Sequence, residues 1–242
     1  MAVGVRGYAV GGGEQNGEER MGHGRRATHR VDVANPRAAA AAAGREDRAV
    51  RVSPPVPPTV LPGPRLDLVL VTVEQLLARA ASDAPVELGY DDPHDVLGPR
   101  SSPLRHRVPQ VLADPSVNPW LVRLAVLRQT REIVGLINFH APPDADGMVE
   151  VGYRVLLEHR RHGYAREMAQ IMWTYAAGHP AVRVLRATFT PDNDGSRTII
   201  EDAGFVQVGE QIDDEDGLEL VYEITADEFA TRWNVPRISS RP

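Results

Sequence analysis

The chain has 242 residues, of which 42% are hydrophobic and 25% charged, the proportions of an ordinary globular protein with a packed core. It contains no cysteine, which excludes disulfide scaffolds, Cys-ligated zinc, iron–sulfur clusters and thiol nucleophiles. The formal net charge of -6 does not fit a nucleic-acid-binding protein, so we expect no nucleic-acid partner. The sequence has no apolar run of about 18 residues and no signal-peptide pattern, so we expect a cytoplasmic protein without a membrane partner.

Residues 1–60 differ in composition from the rest of the chain. They hold a glycine triplet, an alanine run over residues 38–43 and a proline cluster. We therefore expect a disordered low-complexity extension that ends in a Pro-rich linker, followed by one domain over residues 61–242. Up to residue 51 the extension carries nine arginines against six carboxylates, so an arm that binds nucleic acid in a salt-dependent way is the alternative.

The domain is predicted to begin with a strand and two helices. Leucine takes every second position within residues 65–70, as in a half-buried strand. Thr72 and Gln75 then form a capping box, which predicts the start of a helix. Apolar residues at helical spacing predict a second helix over residues 104–112, with Pro109 inside it.

The middle of the domain is predicted to be a meander followed by a crossover. Strand-like runs at residues 120–127, 133–140 and 148–156 are joined by short polar links, which indicates antiparallel pairing. After Gly163 the apolar spacing becomes that of an amphipathic helix, and a strand follows at residues 182–190. This order predicts a right-handed βαβ unit with parallel strands.

The C-terminal part completes the predicted domain. A helix over residues 196–203 is expected to end at Gly204. Two strands are expected around the turn at residues 213–217, and Thr225 with Glu228 forms a capping box for a last short helix.

A basic, glycine-containing loop joins the first parallel strand to the crossover helix, and its sequence is Arg160-Arg161-His162-Gly163-Tyr164-Ala165. Ligands of βαβ units lie at the carboxyl ends of the strands, where this loop stands. Unpaired N–H groups and the helix dipole attract an anion there, Gly163 permits close approach, and Arg160 and Arg161 add charge. A diphosphate is the expected occupant.

Two blocks of sequence carry a resemblance to a known family. The first runs from Glu150-Val151-Gly152-Tyr153 through Ala165, and the second runs from Pro191 through Phe205. Together they resemble the GNAT N-acetyltransferase superfamily, and within it the RimJ/RimL-type branch. The resemblance implies a mixed α/β GNAT acyl-CoA N-acyltransferase fold, with a central twisted mixed sheet of about six to seven strands flanked by helices.

The resemblance also implies roles for individual residues. Main-chain amides of the Arg-x-x-Gly-x-Ala loop bind the acetyl-CoA pyrophosphate in the family, which here implies Arg161, His162, Gly163, Tyr164, Ala165 and Arg166. The strand before the loop lends main-chain groups to pantetheine, which implies Val155 and Leu156. Asn193 matches the asparagine that contacts the pantetheine arm. Ser196 matches the serine that opens the next helix, and Glu150 is the candidate general base.

Several of these roles have structural alternatives. Ser196 is equally explained as an N-cap, and Glu150 as a solvated carboxylate at a strand edge. Many GNAT enzymes place a tyrosine general acid in the helix after the asparagine, and residues 199–201 offer none, which leaves the acid open. His140 is a weaker candidate beside the cleft. The acidic cluster at residues 213–216 is either a solvated hairpin tip or an attractor of a cationic amine.

The expected activity is transfer of an acetyl group from acetyl-CoA, as co-substrate, to a primary amine of a small molecule or a protein N-terminus. The amine attacks the thioester directly, because no cysteine is present for a covalent intermediate. No metal is implied, and we expect a monomer or a homodimer. The alternative function is a CoA-binding regulatory module of the same fold without catalytic activity.

Overall fold

A computed structural model describes residues 4–5, 58–98 and 102–237. Its elements in chain order are β1 Gly4–Val5, β2 Val60–Pro62, β3 Leu66–Leu70, α1 Val73–Ala81, α2 Ser102–Ala113, a 3₁₀-helix Pro115–Trp120, β4 Arg123–Leu127, β5 Ile133–Phe139, β6 Met148–Val155, a 3₁₀-turn Leu157–His159, α3 Tyr164–Gly178, β7 Val184–Phe189, α4 Asp194–Ala203, β8 Val206–Asp213, β9 Gly217–Thr225 and α5 Ala226–Trp233. The predicted disorder of residues 1–60 lies outside the described residues, apart from residues 4–5 and 58–60.

The strands form one mixed sheet with the order β2-β3-β4-β5-β6-β7-β9-β8, and β1 pairs with β6 off this path. Among the described residues only β6 and β7 pair in parallel, and the other neighbours are antiparallel. The mixed α/β fold, the meander and the parallel pair are thereby confirmed. The described sheet has nine strands rather than the six to seven expected, because β1 and β2 come from a stretch whose composition gives no strand signal.

Different helices cover the two faces of the sheet. One face packs against α3, α4 and α5, and its core includes Tyr153 and Phe189, both fully buried. The other face packs against α1 and α2, where Leu76 and Leu136 are buried. No helix in the described ranges is both long and apolar enough to cross a membrane.

Local capping explains where several helices begin. Thr72 and Gln75 form the predicted capping box of α1, and Thr225 and Glu228 form that of α5. Helix α4 differs from the prediction, since it begins at residue 194 and its N-cap is Asn193 rather than residue 196. Both asparagine and serine are good N-cap residues, and in the structure the Asn193 side chain accepts from the backbone N–H of Ser196, one turn earlier than predicted.

Strand β6 places its apolar and polar side chains on opposite faces, as the alternation predicts. Val151 and Tyr153 pack into the core under α3, whereas Glu150 lies on the face of α1 and α2. Parallel pairing of β6 with β7 ends at Glu150 and Arg186. Beyond that point the two strands separate, and the freed edge of β6 pairs with β1 at Tyr153 and Arg154.

Candidate active site

A cleft of about 900 Å³ opens where β6 and β7 end. Its walls are the end of β6, the basic loop, the first turn of α3 and the turn before α4. The predicted site residues that line it are Val155, Arg160, Arg161, Gly163, Tyr164, Ala165, Arg166 and Asn193. The structure therefore brings together, in one cleft, residues from both of the sequence blocks that carried the family resemblance.

The basic loop has the backbone geometry of an anion site. Arg161 has a φ of 68° and Gly163 a φ of 78°, so two residues of the loop are left-handed. In the described part of the chain, the backbone N–H groups of residues 161–165 donate no hydrogen bond. Arg160 Nε donates to the carbonyl oxygen of Val155 at 3.2 Å, which ties the loop to the end of β6. Successive unpaired N–H groups in such a turn form a concave anion-binding surface.

Two of the predicted cofactor-binding residues lie outside the lining of the cleft. The backbone N–H of Leu156 donates to the carbonyl oxygen of Val134 at 2.9 Å, and its side chain packs under α1 and α2. The ring of His162 stacks on that of Tyr164 with centroids 5.6 Å apart, and its Nδ1 lies 3.2 Å from the carbonyl oxygen of His159.

On the face of the sheet that packs against α1 and α2, a carboxylate and an imidazole lie in contact. Thr188 Oγ1 donates to Glu150 Oε1 at 2.6 Å, and His140 Nδ1 lies 3.3 Å from the same oxygen. The side chains of Glu150 and His140 are only 9% and 14% exposed, so both are shielded from bulk water. Helix α2 fixes the end of β5, because Arg107 and Gln110 both donate to the carbonyl oxygen of His140, at 2.6 and 2.8 Å.

Ser196 occupies a buried position behind the cleft. Its side chain is fully buried, and its hydroxyl accepts a hydrogen bond from the Tyr153 hydroxyl at 3.3 Å. Its backbone N–H donates to Asn193 Oδ1 at 3.1 Å. Burial raises the pKa of Tyr153 to about 12, so the phenol stays protonated at neutral pH. The arrangement ties the first turn of α4 to β6.

The acidic hairpin tip is internally bonded and also reaches α2. Asp213 Oδ1 accepts from the backbone N–H groups of Glu215 and Asp216 at 2.9 and 3.1 Å, as in a capped turn. Glu215 Oε2 lies 2.6 Å from Arg105 Nη2, so one carboxylate is neutralised by helix α2. Asp214 is exposed. Both readings of this cluster therefore remain predictions.

One contact of the loop was missed by sequence reasoning. Arg65, from the turn before β3, donates from Nη1 to the carbonyl oxygen of His162 at 2.9 Å and pairs with Glu167. These residues are about a hundred positions apart in sequence, so no local pattern announces the contact. Within the described ranges, no group of three or more His, Asp or Glu side chains is arranged to hold a metal ion.

Part of the chain matches a known family model and two curated relatives. Residues 98–206 match the model of the acetyltransferase (GNAT) domain. The uncharacterized N-acetyltransferase YjdG of Bacillus subtilis is 36% identical over 87 residues, which are 36% of this chain and 50% of that protein. The chain spans about half the length of the curated relatives it matches.

Solved structures show the same fold at low sequence identity. A ribosomal-protein-S5-alanine acetyltransferase from Vibrio fischeri is 16% identical, with a TM-score of 0.50 over 71% of this chain and 99% of that chain. The spermidine/spermine N-acetyltransferase SpeG from Vibrio cholerae is 14% identical, with a TM-score of 0.50 over 69% of this chain and 96% of that chain. Residues 98–206 thus match the GNAT acetyltransferase model, and the described domain has the fold of these solved acetyltransferases.

Proposed function

We propose that this domain transfers an acetyl group from acetyl-CoA to a primary amine. The observation that carries the proposal is the carboxyl end of β6. There the strand separates from β7 beyond Glu150 and runs directly into the basic loop, which we call the anion loop from here on. One continuous cleft can then bind two parts of the co-substrate, since it offers N–H groups for the diphosphate and a strand edge for the amide-bearing pantetheine arm. The match of residues 98–206 to the GNAT model and the name of the B. subtilis relative support the same activity.

Acetyl-CoA fits the cleft in one direction. Its diphosphate would sit on the N–H groups of residues 161–165 at the start of α3, and its pantetheine arm would run back along β6 past Val155 and Asn193. The edge of β6 is able to accept an extended chain, because Gly4–Val5 pairs with it at Tyr153. Pantetheine, which carries two amides, would take the place of that short strand.

The reaction needs a neutral amine beside the thioester. An acceptor that arrives as an ammonium ion loses a proton to the pair formed by Glu150 and His140, either directly or through a water molecule. The nitrogen lone pair then attacks the thioester carbonyl carbon, the C–N bond forms, the C–S bond breaks, and CoA leaves as a thiolate that takes up a proton. Holding the two reactants together supplies the largest part of the rate, and the base adds to it.

The proton donor to the leaving thiolate, which the sequence left open, need not be a side chain. Residues 199–201 contain no tyrosine, and the Ser196 hydroxyl is buried against Tyr153. A CoA thiolate is a good leaving group that water can protonate, so the chemistry proceeds without a dedicated acid. On this geometry Ser196 holds α4 in place and does not touch the reacting atoms.

The acceptor class is tested by turnover. Two proteins of this fold are named for different amines, an alanine of a ribosomal protein and spermidine or spermine. Incubating the chain with acetyl-CoA and a mixed library of peptides, aminoglycosides and polyamines, then measuring mass gain, should reveal an acetylated primary amine. Binding of acetyl-CoA with no mass gain in any library member would instead favour the CoA-binding regulatory module.

A further inference from the structure

Arg65 reaches the anion loop from a distant part of the fold. It lies in the turn between β2 and β3, and its side chain crosses to the first turn of α3. There Nε lies 2.7 Å from Glu167 Oε2, and Nη1 donates to the carbonyl oxygen of His162 at 2.9 Å. The guanidinium carbon also lies 4.8 Å from the centroid of the Tyr164 ring. Three separate contacts therefore fix the plane of this guanidinium.

Glu167 is the anchor of the arrangement. Its Oε1 accepts from the backbone N–H groups of Arg65 and Leu66, at 2.7 and 2.9 Å, while Oε2 accepts from Arg65 Nε. The Glu167 side chain is only 10% exposed, whereas that of Arg65 is 50% exposed. The buried carboxylate thus holds both the backbone and the side chain of Arg65, while half of the Arg65 side chain stays exposed.

The outer nitrogen of Arg65 points at the loop. A Cβ placed on Gly163 would lie 3.5 Å from Arg65 Nη2, which is the nearest heavy atom outside residues 162–164. In the described part of the chain Nη2 donates no hydrogen bond. A charged group with two unused N–H donors therefore stands directly beside the unpaired backbone N–H groups of residues 161–165.

We propose that Arg65 is a direct ligand of the CoA diphosphate, supplied from outside the loop motif. The inference rests on the proposed function, because it requires that the anion at this loop is the diphosphate of acetyl-CoA. A guanidinium held by a carboxylate on one edge presents its other edge to phosphate oxygens without a further loss of side-chain freedom. Its position beside Gly163, rather than farther along the cleft, favours the diphosphate over the 3′-phosphate of the adenosine.

The test compares Arg65→Gln with Arg128→Gln by calorimetry with acetyl-CoA. Arg128 is a matched control, since it is 51% exposed and bonds to the carbonyl oxygen of Gly63 near the same turn, but does not reach the loop. Loss of a charged hydrogen bond at a half-exposed site should weaken the acetyl-CoA Kd about 5- to 30-fold in Arg65→Gln. Arg128→Gln should bind like wild type.

Two further ligands identify the phosphate. Acetyl-dephospho-CoA, which lacks the 3′-phosphate, should lose the same factor on Arg65→Gln substitution. S-acetyl-pantetheine lacks every phosphate, so its KM should be equal for the wild type and the variant. If Arg65 only supported the structure of the cleft, the KM for S-acetyl-pantetheine would rise in the variant as well. A loss that disappears with acetyl-dephospho-CoA would overturn the diphosphate assignment.

The remaining outcomes separate this inference from the proposed function. Wild-type affinity in a folded Arg65→Gln would refute the role of Arg65 and leave acetyl transfer standing. A wild-type protein that does not bind acetyl-CoA would refute the proposed function itself. If Arg65→Gln lowers the melting temperature strongly, Arg65→Lys is the second variant, because it keeps the charge but lacks the paired donors of the guanidinium. Its affinity for acetyl-CoA should lie between those of the wild type and Arg65→Gln. An affinity of Arg65→Lys equal to that of the wild type would overturn the inference.

Discussion

Replacing Glu150 by Gln removes the carboxylate charge from the sheet face that packs against α1 and α2, while keeping the shape of the side chain. The Gln amide oxygen can still accept the 2.6 Å hydrogen bond from Thr188, so the fold should be retained. A positioned base contributes about 10²- to 10⁴-fold, or about 3 to 5 kcal/mol of barrier. Because His140 remains 3.3 Å from the altered oxygen position and can take the proton, we expect a fall in kcat near the lower limit, about 100-fold.

The assay is steady-state acetyl transfer across a pH range, with calorimetry for acetyl-CoA. The acetyl-CoA Kd should change little, since Glu150 does not line the cleft, and raising the pH should recover part of the rate by deprotonating the amine in solution. The double variant with His140→Gln should lose more than either single variant, because it removes both proton acceptors. Glu223→Gln is the control, a carboxylate on the same face that is held by Arg186. Unchanged kcat and pH profile in Glu150→Gln would refute the role of Glu150 as a base.

Three further changes test the basic loop, the N-terminal extension and a buried histidine. Gly163→Ala should weaken acetyl-CoA binding in calorimetry and cost about 1 kcal/mol of stability, since its φ of 78° is unfavourable for alanine; undiminished affinity would remove the loop from the account. Deleting residues 1–57 should leave the melting temperature and turnover nearly unchanged. A longer deletion would also remove the carbonyl groups of Pro58 and Thr59, which accept hydrogen bonds from buried Arg123. A large fall in melting temperature or turnover after the shorter deletion would show that the extension belongs to the domain. Burial lowers the pKa of His179, so the stability that neutral His179 contributes is present above the ordinary pKa of histidine and is lost as the pH falls. Between about pH 7 and pH 5, denaturant titrations should show a larger fall in the free energy of unfolding for the wild type than for His179→Gln. Equal falls would contradict this.

The features predictable from the sequence depend on near neighbours in the chain. The capping box at Thr72 is complete within four residues, and the alternation around Glu150 needs only the pleat of one strand. The anion loop is local too, because Gly163 and the first turn of α3 supply its geometry together. The helix starts and the loop geometry were therefore accessible before any tertiary contact was known, whereas the fold class followed from the resemblance of two sequence blocks to the GNAT superfamily.

The features that sequence reasoning missed depend on distant pairings. Arg65 and Glu167 meet only because β3 and the start of α3 pack together, and nothing near either residue specifies that contact. The pairing of His140 with Glu150 depends on the register between β5 and β6, which the loop between them does not determine from sequence. At α4, Asn193 and residue 196 are both good caps by residue type, and the Ser196 hydroxyl is instead bonded to Tyr153, 43 positions away in sequence.

A crystal structure of the acetyl-CoA complex would test the central claim most directly. The proposed function predicts that the diphosphate oxygens lie within hydrogen-bonding distance of the backbone N–H groups of residues 161–165. It also predicts that the pantetheine arm follows the edge of β6 and that the acetyl group ends on the side of Glu150. Acetyl-CoA bound outside the cleft, or bound with its diphosphate away from the loop, would contradict it.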